Sequence, residues 1–444
     1  MTELHTATVD GFTHGGEGVV RLDGRATFVP GALPGERITL RIIETKPRWA
    51  RGELVEVLEP SELRVVAPCP LAATCGGCDL QHVSAAGQVT LKTRVVIEQL
   101  ERIGKVLDPP VLPGRSVGPA LGYRAHARMH AAPDGRLGFH RAGSNEVVVV
   151  EECPVLTPAA QALRTAMGDA TGAVTVSLRA DGLDDLHRET DPDAVRGAAL
   201  IEPGDTPIHP PAGGFDVLLE QPDGRALAMR GDGVLHVEVS GLRFEVPADG
   251  FFQVSTAAAQ ALVDEVLAVA GDVNGMLVWD LYSGVGLLAL ALAQAGAEVI
   301  AVEGNKAAAK AAVRNAEVNG LALRVETLDV RKALRQWAKP EPKTPSTPDP
   351  KAHLKVQSKA AMMSRPEAPD VVVLDPPRTG LGPEAIKDLV RLKPPRVVLV
   401  ACDPAALARD VKALLAGGYK LRSVQPLDLF PMTHHVEAVA LLER

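Results

Sequence analysis

The spacing of apolar and polar positions changes twice along this chain of 444 residues, and the changes divide it into three predicted parts. Residues 1–62 alternate in short runs between glycine and proline turns, which is typical of a small OB-type β-barrel. Residues 63–248 combine one helical pattern near 88–103 with many short strand patterns, which predicts a mixed α+β central domain. In residues 249–444, β-rich runs alternate with helical runs.

This alternation of strand and helix patterns in residues 249–444 predicts right-handed βαβ units and a doubly wound, Rossmann-like α/β sheet. In such folds, ligands bind at the carboxyl ends of the strands. Residues 340–369 are rich in proline and poor in large apolar side chains, which predicts a mobile surface insertion. The predicted elements are strands at 277–282, 298–303, 323–328, 370–375 and 396–401, helices that begin near Leu287, Ala307, Pro383 and Pro404, and a closing strand pair near Ser423 and His435.

The composition is that of a soluble globular protein, with 46% hydrophobic and 23% charged residues. No apolar run reaches the roughly 20 residues that cross a bilayer, and the first residues do not form a secretory signal. We therefore expect a cytoplasmic, monomeric protein with no membrane partner. The net charge of -8 argues against a polyanionic partner for the chain as a whole.

Basic side chains are nevertheless concentrated between residues 123 and 141, where the sequence places only Asp134 against them. Taken alone, this stretch is most simply a solvated hairpin face. The alternative is a ribbon that contacts nucleic-acid phosphates. The basic or titratable side chains are Arg124, His126, Arg128, His130, Arg136, His140 and Arg141.

The five cysteines separate into a set of four and a fifth that stands apart. In a reducing compartment, clustered thiols more often bind metal or perform catalysis than form disulfides. Their spacing fits structural zinc at least as well as an iron–sulfur cluster. The candidate ligands are Cys69, Cys75, Cys78 and Cys153. Cys402 ends an apolar run before Asp-Pro, at a predicted strand end, which favours a reactive thiol over an inert buried one.

A glycine-containing turn between a predicted strand and helix is the candidate cofactor site. In Asp280-Leu-Tyr-Ser-Gly284-Val-Gly286, the glycines let the backbone turn tightly and approach a ligand closely. Glu303 ends the next predicted strand about 20 residues later, where a carboxylate can accept hydrogen bonds from two ribose hydroxyls. On this spacing alone, a nicotinamide cofactor and S-adenosylmethionine are equally supported.

Two further carboxylates favour S-adenosylmethionine. Asp375 ends the fourth predicted strand, before Pro-Pro-Arg378, at a position where methyltransferases place an acidic or amide residue next to the methyl donor. Asp329 ends the third strand, within reach of an adenine. The alternative role for Asp375 is to form the turn that two prolines imply.

Motifs along essentially the whole chain resemble those of one enzyme family. They are Cys75-Gly-Gly-Cys78-Asp-Leu-Gln-His, Phe251-Phe-Gln253, Asp280-Leu-Tyr-Ser-Gly-Val-Gly, Asp375-Pro-Pro-Arg-Thr-Gly, Ala401-Cys402-Asp-Pro and His435-Val-Glu437. In this order they resemble the RNA uracil-C5 methyltransferases of the RumA/RlmD type. The first 62 residues resemble a TRAM domain, an RNA-binding module, through Gly16-Glu-Gly-Val and Phe28-Val-Pro-Gly.

The resemblance implies a chemistry and a set of residue roles. Cys402 would add to uracil carbon 6 as a thiolate, and Glu437 would remove the proton from carbon 5 after methyl transfer. The four clustered cysteines would hold a [4Fe–4S] cluster rather than zinc, with a structural or RNA-holding role. The implied contacts to S-adenosylmethionine are Gln253, Tyr282, Glu303, Asp329 and Asp375. Leu287 stands where one branch of the family has a cofactor-contacting Asn, so it is assigned no contact.

The implied substrate is a uridine of 23S rRNA that is flipped out of its stack or already lies in a loop. The barrel and the basic stretch would hold the flanking RNA. One alternative is the same chemistry on a tRNA uridine, and another is a non-catalytic RNA-binding protein in which Glu437 is an ordinary polar position on a closing strand. An adenine-N6 methyltransferase has no use for Cys402, and a cytosine enzyme normally places its cysteine directly after the Pro-Pro turn.

Overall fold

A computed structural model describes residues 4–180, 196–205, 208, 211, 213–339 and 366–444. Most of the predicted insertion, residues 340–365, lies outside the described residues. The strands are β1 (Leu4–Thr8), β2 (Gly11–Phe12), β3 (Glu17–Leu22), β4 (Arg25–Pro30), β5 (Arg37–Thr45), β6 (Trp49–Glu59), β7 (Arg115–Ser116), β8 (His126–Ala131), β9 (Leu137–His140), β10 (Val147–Val149), β11 (Ala173–Ala180), β12 (Gly197–Pro203), β13 (Asp216–Glu220), β14 (Ala226–Arg230), β15 (Val234–Val239), β16 (Leu242–Pro247), β17 (Leu277–Leu281), β18 (Glu298–Glu303), β19 (Arg324–Thr327), β20 (Val371–Leu374), β21 (Arg396–Ala401), β22 (Lys420–Asp428) and β23 (Glu437–Glu443). The helices are α1 (Ala85–Gln99), which a π-helical turn (Leu100–Gly104) continues, α2 (Pro158–Met167), α3 (Thr256–Ala270), α4 (Leu287–Gln294), α5 (Lys306–Val318), α6 (Val330–Trp337), α7 (Pro383–Leu392) and α8 (Pro404–Ala416).

Strands β1 to β6 form the predicted N-terminal barrel. Their order in the sheet is β1-β5-β6-β4-β3-β2, and β1 also contacts β3, with which it shares no ladder, so the sheet curls back on itself. Alternate residues of β3 and β4 point inward, as the period of two in the sequence predicts. They share a small core with Val9, Ile38 and Leu40.

A second sheet follows in the order β10-β9-β8-β11-β12-β13-β14. Its neighbouring strands are antiparallel except for β12 and β13, which are parallel. Helix α2 begins at Pro158 because Thr157 caps its first turn, and it packs on the sheet through Leu163 and Met167. The hairpin β15–β16 stands apart from this sheet and packs against α3 and α5.

The basic stretch lies mainly on the hairpin β8–β9 and is less cationic than the sequence suggested. Arg128 pairs with Glu202 on β12, and Arg141 pairs with Glu146, each at 2.8 Å. Arg136 pairs with Asp134, also at 2.8 Å. The expectation that Asp134 alone opposes these cations was therefore wrong, because strand pairing and a tight turn bring two glutamates from outside the stretch.

The third sheet is the largest, in the order β19-β18-β17-β20-β21-β23-β22-β7. Strands β17 to β21 pair in parallel, as the predicted βαβ units require. Strand β23 is antiparallel and lies between β21 and β22, which the sequence did not indicate. β7, from the segment after α1, pairs with the end of β22.

Helices cover both faces of this sheet, which confirms the doubly wound prediction. Helices α3, α4 and α5 share one core with Val278, whereas α1, α6, α7 and α8 share the other with Trp279. Helices α4, α7 and α8 begin where they were predicted. Helix α5 begins one residue before the predicted Ala307, because Asn305 accepts hydrogen bonds from the N–H groups of the first turn. Among the described helices, none is long and apolar enough to cross a membrane.

Helix α1 ends at Gln99, far before β17 begins at Leu277, but it packs on the large sheet. Val96 and Leu100 lie in the core that contains Trp279 and Trp337. The domain boundaries at 62/63 and 248/249 stay predictions.

A buried ion pair fastens α1 to the sheet. Lys92 Nζ lies 2.5 Å from Asp428 Oδ1, and the side chains are 2% and 4% exposed. The same ammonium donates to the carbonyl of Phe430 at 3.1 Å. Burial lowers the pKa of Lys92, and Asp428 opposes that shift. Removing one partner would leave the other charge buried and unpaired.

We expect Lys92→Met to lower the free energy of unfolding by about 3–5 kcal/mol, because Asp428 would lose its counter-charge in the protein interior. Denaturant unfolding followed by the fluorescence of Trp279 and Trp337 measures the loss. The control Arg94→Met removes an exposed pair from the same helix and should cost under about 1 kcal/mol. Equal losses in the free energy of unfolding for the two variants would contradict a stabilising role for the buried Lys92–Asp428 pair.

Candidate active site

Three predicted site residues lie at one edge of the large sheet. Asp375 follows β20, Cys402 follows β21, and Glu437 is the first residue of β23. β20 and β21 are parallel, whereas antiparallel β23 sets Ala438 opposite Ala401. The first residue of β23 therefore lies at the same edge of the sheet as the carboxyl ends of β20 and β21. The thiol and the two carboxyl groups are brought together, although they are distant in sequence.

The carboxyl group of Glu437 is 4% exposed, and its Oε1 has no hydrogen-bond partner among the described residues. Burial raises the pKa of Glu437 well above its ordinary value, Asp375 acts in the same direction, and Arg378 opposes them. A strongly perturbed acid at a ligand-binding edge is typical of a group that exchanges a proton with a ligand.

The thiol of Cys402 is half-buried beside the same acids. Burial, Glu437 and Asp375 together raise the pKa of Cys402 to about 11, and Arg378 acts against them. The protein without ligand therefore holds Cys402 as a neutral thiol at neutral pH. A cation placed beside these acids would favour the thiolate, because it offsets their negative charge.

Four of the predicted cofactor residues meet in a small cavity of about 40 Å³. The four residues are Gln253, Tyr282, Gly284 and Asp375.

The turn between β17 and α4 carries the left-handed backbone that the glycine motif predicts. Gly284 has φ of 56° and Gly286 has φ of 94°. A Cβ atom on Gly286 would lie 2.4 Å from the side chain of Leu290, so only glycine fits there without a shift. Tyr282 adopts φ of 67°, a conformation that is costly for a bulky side chain and that clusters at functional sites.

The other two predicted acids lie along the same edge, outside that cavity. The carboxylate of Glu303 accepts hydrogen bonds from the N–H of Gly284 at 2.9 Å and from the N–H of Asn305 at 2.6 Å. Asp329 caps α6 and accepts from the N–H of Lys332 at 2.9 Å. Since β19, β18 and β17 are neighbours, the two acids and the glycine turn form one row.

The four clustered cysteines line a single cavity of about 310 Å³. Burial raises the pKa of Cys75 and of Cys153, and it is the main cause that raises the pKa of Cys78 to about 11. In each case, neighbouring thiols act in the same direction. A bound cation would relieve such repulsion. Among the residues that the structure describes, no three His, Cys, Asp or Glu side chains are arranged as ligands for one metal ion.

Three residues at the site were not assigned a role from the sequence. Asp280 is 1% exposed, and burial followed by Asp375 raises its pKa to about 8. Asp280 is the first residue of the glycine motif, and that position was the sequence signal that could have identified it. Arg378 influences both Cys402 and Glu437, as the charged end of the Pro-Pro-Arg motif. Phe251, which lines the small cavity, is 72% exposed, and no sequence signal predicts that.

Comparison with known proteins adds the family. Residues 4–55 match the TRAM domain, and residues 229–339 and 352–444 match the family described as tRNA (Uracil-5-)-methyltransferase. The 23S rRNA (uracil(1939)-C(5))-methyltransferase RlmD of Acidithiobacillus ferrooxidans is 34% identical over 97% of this chain and 95% of its own length. An uncharacterized RNA methyltransferase of Streptomyces avermitilis is 34% identical over 100% of this chain and 99% of its own.

A solved structure agrees with the fold. The tRNA (uracil-54, C5)-methyltransferase of Pyrococcus abyssi, in complex with S-adenosyl-L-homocysteine, superposes with a TM-score of 0.71. The match covers 99% of this chain and 100% of that one at 24% identity, which shows a shared architecture. The chain therefore belongs to the tRNA (uracil-5-)-methyltransferase family, carries an N-terminal TRAM domain, and is an RNA uracil-5-methyltransferase that uses S-adenosylmethionine.

Proposed function

We propose that this enzyme methylates carbon 5 of a uridine in 23S rRNA, with Cys402 as the nucleophile and Glu437 as the proton acceptor. One observation carries the proposal. A free thiol and a buried carboxyl group with an unpartnered oxygen meet at the ligand-binding edge of the sheet, beside Asp375. These are the groups that the reaction needs, because uracil carbon 5 accepts a methyl group only after the ring has become electron-rich.

Cys402 performs the first step. Its thiolate forms a bond to carbon 6, and the electrons of the carbon 5–carbon 6 double bond move toward the carbonyl at carbon 4, so that carbon 5 becomes nucleophilic. S-Adenosylmethionine supplies the methyl group as a sulfonium cation. Burial, Glu437 and Asp375 raise the pKa of Cys402, so the positive charge of the methyl donor beside these acids favours the thiolate, with the thiol proton released to solvent.

Glu437 performs the last step. It takes the remaining proton from carbon 5, the electron pair restores the carbon 5–carbon 6 double bond, and the carbon–sulfur bond to Cys402 breaks. Glu437 must be ionised to take this proton, and the positive charge of the bound methyl donor favours its carboxylate; the raised pKa then makes that carboxylate a stronger base than an exposed glutamate. The unpartnered Oε1 is the atom available for this proton.

The proposed cofactor contacts follow the row of strand ends. Glu303 accepts from the ribose hydroxyls, since each carboxylate oxygen keeps a lone pair beyond its bond to a backbone N–H. Asp329 lies at the adenine end and Asp375 at the methyl-donor end. The complete proposed set is Gln253, Tyr282, Gly284, Gly286, Glu303, Asp329 and Asp375.

The target base must leave its stack before it can reach Cys402. Exposed Phe251, at the edge of the cofactor cavity, offers an aromatic face on which an extruded uracil can stack. The TRAM domain and the hairpin β8–β9 would hold the flanking RNA.

The four clustered cysteines, we propose, hold a [4Fe–4S] cluster. The fit rests on the donor set, which is four thiols around one cavity. Zinc held by the same four thiols is the alternative. The group would link Cys153 to the segment of Cys69, Cys75 and Cys78, which is a structural role.

Ribosomal RNA is supported by the relative named for 23S rRNA, which is 34% identical over 97% of this chain. The alternative, a tRNA uridine, is supported by the more distant fold neighbour, which acts on tRNA. The chemistry at Cys402 and Glu437 is the same in both.

Cys402→Ala should reduce kcat by at least about 1,000-fold and abolish the covalent complex with RNA that contains 5-fluorouridine, because no thiol remains to add to carbon 6. Glu437→Gln should instead accumulate a methylated covalent RNA adduct, since the proton on carbon 5 is no longer removed. Denaturing gels and mass spectrometry detect both species. Glu443→Gln, on the same strand, is the matched control and should behave as wild type. A fully active Cys402→Ala enzyme would refute the mechanism.

Anaerobically purified protein should contain about four iron and four sulfide per chain, with absorption near 400 nm, if the four thiols hold a cubane cluster. Cys75→Ser should lose the iron, whereas Cys402→Ala should retain it, because Cys402 lies outside the thiol cavity. Metal analysis of the three proteins decides the matter. Stoichiometric zinc without iron would overturn the cluster assignment.

Deletion of the gene should remove 5-methyluridine from 23S rRNA and leave tRNA unchanged. Mass spectrometry of the separated RNAs measures the modification, and complementation with the Glu437→Gln variant is the control for loss of activity. Loss of 5-methyluridine from tRNA alone would show that tRNA is the substrate.

A further inference from the structure

Residues 429–436 form the loop that leads from β22 to Glu437. Within this return loop, Met432 adopts φ of 68°, which costs free energy for a side chain of this kind. Glu437 pairs with Leu427 on β22, but it is also the first residue after the loop, so the way the loop is held affects the position of its carboxylate.

The return loop is held by a segment more than 300 residues earlier in the chain. Asp79 Oδ1 accepts from the N–H of His434 at 2.8 Å, and Asp79 Oδ2 is bonded to the ring Nδ1 of His434. The N–H groups of Asp79 and Leu80 both donate to the carbonyl of Met432, at 3.1 and 3.0 Å. Backbone groups that no strand partner satisfies are thus satisfied here.

Other side chains hold the earlier part of the return loop. Gln88 accepts from the N–H of Met432 at 2.7 Å, and the hydroxyl of Tyr123 donates to the carbonyl of Pro431 at 3.0 Å. Lys92 holds the carbonyl of Phe430. Among the side chains named here, Asp79 therefore acts nearest to Glu437, through His434, three positions before it.

Asp79 also stands where three parts of the molecule meet. It follows Cys78, which lines the thiol cavity. Gly16 of the barrel approaches so closely that a Cβ on it would lie 3.0 Å from His434 Cβ and 3.6 Å from Asp79 Oδ2. The barrel, the thiol segment and the return loop are therefore in contact at this one pair.

We propose that Asp79 is a positioning residue for methyl-uridine release: by binding both the backbone and the ring of His434, it places Glu437 for removal of the carbon 5 proton. This inference rests on the proposed role of Glu437. The Asp79 and His434 side chains are 40% and 31% exposed, so the pair contributes little to global stability. Its loss should change geometry far more than folding.

Asp79→Ala should lower kcat by about 10- to 100-fold, because displacement by roughly 1 Å at a catalytic group costs up to about 100-fold. KM for S-adenosylmethionine should change less than about two-fold, and the methylated covalent RNA adduct should accumulate. Asp79→Asn should restore most of kcat, since an amide can still accept from the N–H of His434 and reach its ring. Asp223→Ala, which removes an exposed carboxylate bonded to Arg225, is the control and should match wild type.

A double-mutant cycle separates positioning from a general defect. In the Glu437→Gln background, Asp79→Ala should cause no further loss, because both changes impair the same step. Additive losses would overturn the inference, as would an unchanged kcat in Asp79→Ala, or iron or zinc lost from that variant in parallel with activity. If Glu437→Gln accumulates no adduct, the proposed role of Glu437 itself is wrong. If Glu437→Gln accumulates the adduct and Asp79→Ala does not, only the inference on Asp79 is wrong.

Discussion

The site depends on the direction of one strand. In a parallel sheet, all carboxyl ends lie at one edge, and residues at the amino ends cannot reach a ligand bound there. Strand β23 runs the other way between β21 and β22, so its first residue, Glu437, arrives at the ligand edge beside Cys402. The thiol of Cys402 and the carboxyl group of Glu437 therefore meet through topology, and no local motif contains both of them.

The edge that results carries several carboxyl groups close together, which affects both the ionisation of Cys402 and the binding of a cation. Asp280, Asp375 and Glu437 are crowded and buried enough that each has a raised pKa, and the acids near Cys402 keep its thiol protonated. The same crowding that disfavours negative charge in the free protein favours a bound cation. A sulfonium ligand is such a cation, so in the proposed mechanism its binding would favour ionisation of the Cys402 thiol.

The sequence predicted the elements of the large sheet well, because its strands are continuous apolar runs and several helices begin at Pro or at an Asn or Asp cap. It also predicted the glycine turn and the acids that follow successive strands. It did not predict the direction of β23, since a strand pattern carries no sign of its orientation. Nor did it predict the pairs Asp79–His434 and Lys92–Asp428, whose members are 355 and 336 residues apart.

The antiparallel strand creates a further requirement, which explains why the N-terminal half packs where it does. A reversed strand needs a return loop, and residues 429–436 contain buried backbone groups outside any strand ladder and a left-handed Met432. Their partners come from residues 79–123, among them Asp79, Gln88, Lys92 and Tyr123. Helix α1 and the thiol-bearing segment thus hold the loop that leads to Glu437. A change in the thiol segment can reach Glu437 through bonded contacts alone, with no electron transfer required.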